Sequence, residues 1–247
     1  MAEQGERLAK RMAGAGLCSR RVAETWIAAG RVQVNGKTIT TPACVVTEAD
    51  DIRVDGLPLP RQTEKPRLFM FYKPKGVLCT ASDPQGRRTV FDLLPPTLPR
   101  LVLVGRLDLN SEGLLLLTTH GGLAEQLMHP RTGLARTYRV RFKGQMRPAY
   151  IKRMTEGMTV EGVTYRPMQV QMDDVRDGAN QWATITIHEG KNREIRKVMG
   201  AFDLPVNRLL RVAYGPFMLA DLKPGQIREV TGKQVASLLS QLGKDHA

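Results

Sequence analysis

Between residues 66 and 242, short apolar runs and amphipathic stretches follow one another in an irregular order, and that order constrains the fold more than any other feature. Strands are expected at 68–72, 101–104, 114–118, 137–142, 166–172, 182–188 and 208–212, where apolar runs end at turn-forming residues. Helices are expected at 122–128, 148–156, 192–202 and 233–242, where apolar residues recur at helical spacing. A doubly wound parallel sheet needs a helix between successive strands, and this order does not supply them. The expected class is therefore α+β with a mostly antiparallel sheet. A polar stretch with three prolines at 56–66 precedes this region and reads as a linker. It divides the chain into a small domain at 1–62 and a larger one at 63–247. With 247 residues, 42% of them hydrophobic, the chain is long enough to bury a sizeable core.

In the small domain, Leu8 and Met12 are four apart on a helix expected at 6–13, which Gly14 and Gly16 end. Ser19 is the expected N-cap of a second helix at 20–29, with Val22, Trp26 and Ile27 inward and Gly30 as the stop. Residues 31–40 alternate around Asn35-Gly36, the dipeptide suited to a type I′ hairpin turn.

The charge balance is strongly basic: 37 Lys and Arg against 24 Asp and Glu, net +13. Residues 66–247 carry net +11 of this and residues 1–65 net +2. Such a surface calls for a polyanionic partner, with nucleic acid first and an anionic membrane second. No apolar run approaches the roughly 20 residues that cross a bilayer. The start, MAEQGERLAKRMAGAG, carries charge where a signal peptide has its apolar core. The three cysteines form no CxxC pair and the four histidines no HxxxH spacing. A cytoplasmic protein without a metal is the expectation.

The segment richest in chemistry is Val104-Gly-Arg-Leu-Asp-Leu-Asn-Ser-Glu-Gly-Leu-Leu-Leu-Leu-Thr118. Two apolar runs flank a polar loop holding Arg106, Asp108, Asn110, Ser111 and Glu112. A charged loop between two buried strands can be held rigidly at the lip of a core. Chemistry alone leaves three readings for Asp108. It can pair with Glu112 for glycosidic-bond cleavage, ligate Mg²⁺ with Glu112, or merely cap the turn. Ser111 has no partner that marks a triad, and Gly190-Lys-Asn-Arg lacks the glycine spacing of a phosphate loop.

Two resemblances bear on these alternatives. ERLAKRMAGAGLCSRRVAETWIAAGRVQVNGK, residues 6–37, resembles the S4 RNA-binding domain. GRLDLNSEGLLLLT resembles the signature of the ribosomal RNA pseudouridine synthases. FYKPKGVLCTASDPQGRRTVFDLLP at 71–95, LARTYRVRFKG at 134–144 and IHEGKNREIRKVMGAFDLPVNRLLRVAYG at 187–215 resemble further segments of the same family, in the same order. Within that family the chain is most similar to the group acting on large-subunit ribosomal RNA, through HEGKNREIRKVM, Asn180-Gln-Trp182 and RVAYGPFML. Enzymes acting on small-subunit ribosomal RNA share the catalytic motifs and supply the alternative.

This resemblance implies isomerisation of uridine to pseudouridine within RNA, with no cofactor and no metal. It makes Asp108 the catalytic aspartate, acting as nucleophile at C1′ or as base at C2′. It makes Arg196 the basic residue pairing with that carboxylate, and Tyr138 the residue contacting the uracil. Leu210, or its neighbour Leu209, is implied as the apolar wall of the uracil pocket. Arg106 is placed to fill the space that a flipped uridine vacates. For RNA contact, the small domain offers Arg7, Lys10, Arg11, Arg20, Arg21, Arg31 and Lys37, and the larger one Lys73, Lys75, Lys191 and Arg193. Residues 131–153 add eight basic side chains and no acidic one. Only 5% of residues are aromatic, which suits a folded stem-loop better than a stacking platform for single strands. The implied partner is a ribosomal RNA stem-loop, free or in a pre-ribosomal particle, bound by a monomer. The rival readings are a non-catalytic S4-type RNA-binding protein and an RNA N-glycosidase.

Overall fold

In the computed structural model, residues 5–60 and 65–244 are described. They form two compact units. One runs through Pro66 and includes Thr119–Gly122; the other comprises Arg67–Thr118 and the chain from Leu123 onward. The expected boundary between residues 62 and 63 lies outside the described residues.

The first unit begins with β1 (Glu6–Arg7), α1 (Leu8–Gly14) and α2 (Arg20–Ala28). It continues with β2 (Val32–Val34), β3 (Lys37–Ile39), β4 (Val45–Val46), β5 (Ile52–Val54) and β6 (Leu57–Pro58). Strand β1 pairs with β4, and the other four form a sheet of order β3-β2-β5-β6. Ser19 caps α2 by accepting a hydrogen bond from the Val22 amide at 3.2 Å. Asn35 and Gly36 take φ values of 51° and 77°, both left-handed, as a type I′ turn demands.

Leu8, Met12, Ala23 and Ile27 are buried against Val32, Ile52 and Val54. Val22, expected inward, is exposed. The inner stripe of α2 is set by Ala23 and Ile27, four residues apart, and Val22 lies one step around the helix. The expected linker also begins as a strand: β6 pairs with β5, and the Leu59 amide donates to Ile52 O at 2.8 Å. Pro58 is tolerated there because β6 is the edge of its sheet.

The second unit runs through β7 (Leu68–Lys73), β8 (Val102–Val104), β9 (Glu112–Thr118), α3 (Gly121–Met128) from Leu123 onward, β10 (Arg136–Lys143) and α4 (Pro148–Glu156). It continues with β11 (Met158–Val160), β12 (Val163–Tyr165), β13 (Gln169–Asp177), β14 (Asn180–Ile187) and α5 (Glu194–Gly200). It closes with β15 (Val206–Tyr214), β16 (Phe217–Met218), β17 (Ile227–Glu229) and α6 (Gly232–Lys244). The main sheet has the order β13-β14-β10-β15-β9-β7-β17, with β8 beside β9 and β16 beside β15. Its ladders are antiparallel except that between β9 and β15.

The run Leu114–Leu117 is wholly buried because β9 is covered on both faces. Leu115 and Leu117 join Phe69 and Phe71 in a core closed by Met154 of α4 and Val198 of α5. Leu114 and Leu116 join Leu68 and Tyr72 on the opposite face, under Leu127 of α3 and Leu238 of α6. The strand expected at 166–172 starts later, beyond Pro167, and extends to Asp177. A hairpin absent from the sequence reading, β11–β12, turns at Glu161-Gly162, with Glu161 itself left-handed at φ 49°. No helix of the described residues is long and apolar enough to cross a membrane.

Candidate active site

The polar loop between β8 and β9 opens onto a cavity of about 540 Å³ in the second unit. Arg106, Asp108, Tyr138, Leu209 and Arg211 all line it. Strands β10 and β15 set this arrangement: Tyr138 is the cross-strand partner of Arg211, and Val140 that of Leu209, so their side chains share a face.

Three cations hold the Asp108 loop, Lys73 and Arg211 buried and Arg196 half-buried. The Lys73 ammonium donates to the carbonyls of Ser111 at 2.8 Å, Pro74 at 3.0 Å and Asp108 at 3.2 Å. The Arg196 guanidinium donates to Asn110 O at 2.9 Å and Val206 O at 2.8 Å. Arg211 Nε donates to Leu114 O at 2.6 Å. Three carbonyls of the loop, those of Asp108, Asn110 and Ser111, and that of Leu114 at the start of β9 thus accept from charged donors of β7, α5 and β15, the stronger kind of hydrogen bond. Burial pulls the Lys73 pKa below its ordinary value, against the attraction of nearby acidic groups that include Asp108 and Glu112. The Arg196 pKa is also lowered, by burial first and then by the like charge of Arg193.

Gly113, at φ 104°, starts the approach of β9 to β15. A Cβ placed there would lie 2.3 Å from Arg211 O, so no other residue fits without a shift of the backbone.

Asp108 is 30% exposed, and its Oδ2 lies 3.9 Å from Arg193 Nη1. Among the described residues its carboxylate accepts no backbone amide, which removes the turn-cap reading. Its carbonyl, not its side chain, makes the turn by accepting from the Ser111 amide at 3.0 Å. Glu112 points elsewhere: it binds Arg208 Nε at 2.7 Å and the Tyr72 hydroxyl at 3.1 Å. Glu112 is not among the cavity-lining residues, so it forms no carboxylate pair with Asp108 across the cavity. The readings that joined the two carboxylates lose their geometric basis.

Three sequence-based placements need correction. Lys73 is fully buried and cannot reach an RNA phosphate, because its ammonium is enclosed by the carbonyls of Pro74, Asp108 and Ser111. Leu209, not Leu210, lines the cavity. Adjacent strand residues face opposite sides, and Leu210 packs on the α3–α6 side with Leu114 and Leu116. The guanidinium at ion-pair distance from Asp108 is that of Arg193, whereas Arg196 is engaged with main-chain carbonyls.

Arg106, Lys75, Lys191 and Arg193 are exposed, as RNA contacts need to be, but Lys191 is already paired with Glu189 at 2.8 Å. In the first unit Arg7, Arg20, Arg21 and Lys37 are exposed and Lys10 is half-buried. Arg11 pairs with Glu6 at 3.4 Å, and Arg31 with Asp55 at 2.5 Å while its guanidinium lies 4.6 Å over Trp26.

The sequence reading missed Arg211, 2% exposed, and Glu194, 3% exposed, both cavity-lining. Burial, and then the neighbouring charge of Glu189, push the Glu194 carboxyl up to about 7. The alternation of Leu209 with Arg211 on one strand is the signal that marks Arg211 as facing the same way as the apolar wall.

Comparison with known proteins gives a consistent picture. The sequence model of the RNA pseudouridylate synthase family matches residues 67–201, more than half the chain, and that of the S4 domain matches residues 6–52. An uncharacterized RNA pseudouridine synthase of Rickettsia felis is 44% identical over 228 residues, covering 92% of this chain and 98% of that protein. The ribosomal large subunit pseudouridine synthase B of Haemophilus influenzae is 44% identical over 87% of this chain and 62% of its own length. The protein of that name from Pseudomonas aeruginosa is 39% identical over 97% of this chain and 63% of its own length. A crystal structure described as a pseudouridylate synthase superposes with a TM-score of 0.67 at 25% identity, over 94% of this chain and 99% of that one. The two sequence models match in the order small domain then large, and with these relatives they establish that the chain belongs to the RNA pseudouridylate synthase family and carries an S4 domain ahead of its catalytic domain.

Proposed function

We propose that this protein isomerises a uridine of large-subunit ribosomal RNA to pseudouridine, with Asp108 as the catalytic carboxylate. The observation that carries the reading is the Asp108 side chain itself: it lines the cavity and caps nothing, on a loop whose backbone is held by the buried Lys73 and the half-buried Arg196. The relatives named for large-subunit ribosomal RNA support the choice of substrate.

The reaction breaks the N1–C1′ bond of uridine and leaves the electron pair on the base. Asp108 promotes this step as nucleophile at C1′ or as base at C2′, and either role needs its ionised form. The detached uracil turns within the cavity and C5 bonds to C1′, either displacing the Asp108 oxygen from C1′ or with Asp108 returning the proton to C2′; the C5 proton then leaves and N1 is protonated. Atoms and electrons balance without a redox partner. Tyr138 packs against the uracil from the wall it shares with Leu209, and its phenol is suited to the C5 proton transfer. Arg193 stands beside the Asp108 carboxylate, Arg196 positions the loop, and Arg106 at the mouth occupies the space vacated by the flipped nucleotide. The S4 domain docks RNA and supplies no chemistry. The setting is the cytoplasm, with a monomer acting on a stem-loop, free or in an assembling ribosomal particle.

The test is Asp108→Asn in a single-turnover assay with protein in excess, beside a filter-binding titration. Pseudouridine formation should fall to background while affinity stays within a few fold, because many cations share the binding. Appreciable turnover by the variant would sink the role of Asp108. Mapping pseudouridine in both ribosomal RNAs, from cells with and without the protein, decides between large- and small-subunit targets. An unchanged RNA mass separates isomerisation from base release.

A further inference from the structure

The basic segment 131–153 builds a feature that the catalytic cavity does not use. Tyr150 of α4 and Phe202, just beyond α5, stack with ring centroids 4.6 Å apart and planes 18° from parallel. Each ring carries a guanidinium: Arg147 lies 5.5 Å over Tyr150, and Arg153 lies 5.5 Å over Phe202. Both arginines are exposed, and neither has a carboxylate partner among the described residues. The acidic residue of α4, Glu156, is at 3.9 Å from Lys152 instead. Other arginines of the domain differ in this respect. Arg139 is neutralised by Asp173 and Arg208 by Glu112, so those charges are used within the fold.

A guanidinium resting on an aromatic ring has already given up much of its rotamer freedom, so less entropy is lost when a ligand binds. Two such groups, held by one stacked pair and uncompensated by acid, offer planar forks to a phosphate oxyanion. Their position fits the same ligand as the cavity. Arg193 and Ile195 line the cavity at the start of α5, and Phe202 follows the end of that helix. At 1.5 Å per residue the stack is roughly 13 Å further along. That is a short reach for a strand whose target nucleotide sits in the cavity.

We propose that the Arg147–Tyr150–Phe202–Arg153 stack is a docking site for the sugar–phosphate backbone of substrate RNA flanking the target uridine. This rests on RNA being the substrate class, and not on the role of Asp108 or on which ribosomal RNA is modified. The chemistry is phosphate recognition by preorganised guanidinium groups, with no base reading.

The experiment is a filter-binding titration of the full-length protein with transcribed large-subunit ribosomal RNA over a range of KCl concentrations, without turnover. The double variant Arg147→Ala/Arg153→Ala should raise Kd roughly tenfold and lower the log–log salt slope by roughly 1.5, the value for two lost phosphate contacts. Arg147→Lys/Arg153→Lys keeps both charges but not the flat, stacked fork. It should restore the slope and only part of the affinity. Lys223→Ala, which removes an exposed cation elsewhere in the same unit, should change neither quantity. Thermal melts of all variants check folding. An Ala double variant with unchanged Kd and slope overturns the proposal and leaves the surface to another partner, such as an acidic protein. So does a weakened Kd with an unaltered slope, which would mark a packing defect, or a loss of equal size in Lys223→Ala. Because the readout is affinity alone, the result stands whether or not Asp108→Asn abolishes turnover.

Discussion

Replacing Lys73 with methionine separates a structural cation from an RNA contact. Methionine keeps most of the side-chain volume and removes the ammonium. The three carbonyl acceptors, at 2.8, 3.0 and 3.2 Å, would lose their donor inside a fully buried site. Hydrogen bonds to a charged group contribute roughly 1.5–3 kcal/mol each. Relief of the cost of burying the ammonium offsets several kcal/mol of that sum, and burial has already pulled its pKa down. The expected net destabilisation is about 2–4 kcal/mol, a fall in Tm of roughly 10 °C for a domain of this size.

The functional consequence follows from two of those acceptors. With the Asp108 and Ser111 carbonyls released, the carboxylate drifts, and a misplacement near 1 Å costs on the order of 100-fold in rate. RNA affinity and its salt dependence should stay as in the wild type, because a side chain with 0% exposure touches no phosphate. The assays are a thermal melt, single-turnover pseudouridine formation and a salt-dependent binding titration. A variant with unaltered Tm whose salt slope has dropped by roughly 0.7–0.9 would show that the ammonium faces RNA, and the reasoning would be wrong.

Arg196→Ala should cost turnover far more than affinity, since it frees Asn110 O and Val206 O, and Arg196→Lys should recover little because one ammonium replaces a two-armed fork. Equal losses in Kd and in the rate of bound RNA would instead make it a backbone contact. Gly113→Ala should destabilise by about 3 kcal/mol or more, read in urea midpoints, because its Cβ meets Arg211 O at 2.3 Å in a left-handed backbone; a well-folded, fully stable variant would contradict the close approach. The Glu194 carboxyl, raised from 4.5 to about 7, favours the fold when protonated, so its contribution is full below about pH 4.5 and lost as pH rises through 7. Glu194→Gln mimics the protonated acid and should be more stable than wild type by roughly 1–3 kcal/mol at about pH 8, with the difference vanishing near pH 4.5. Parallel pH–stability curves for the two proteins would refute the buried-acid account. Glu189 titrates with Glu194, so the difference between the proteins is the quantity to read.

Local rules made much of this molecule legible in its sequence. The Ser19 cap and the Asn35-Gly36 turn involve residues within three or four positions of each other, and the structure has both. The Leu114–Leu117 run needed only its own composition to be read as a buried strand, and the fold covers it on both faces. Asp108 could be singled out because the loop and the two strands that hold it are contiguous in the chain. The sequence model of its family spans this loop, matching residues 67–201.

Tertiary structure decided which charges are inside and which way each strand faces. A lysine followed by proline at the end of an apolar strand reads as a surface cation. Lys73 is buried because folding brings it carbonyls from 35 and 38 positions away, enough acceptors to replace water around an ammonium. Leu209 and Leu210 are equivalent in composition, and only the pairing of β15 with β10, with its two register shifts, sets which one meets the cavity. Arg193 and Arg196 lie one helical turn apart, and only the folding of α5 against the loop between β8 and β9 sets Arg193 beside the Asp108 carboxylate and Arg196 on Asn110 O. In each case the determining contact is long-range: its partners are separated by tens of residues, so propensity and spacing near one position carry no record of it.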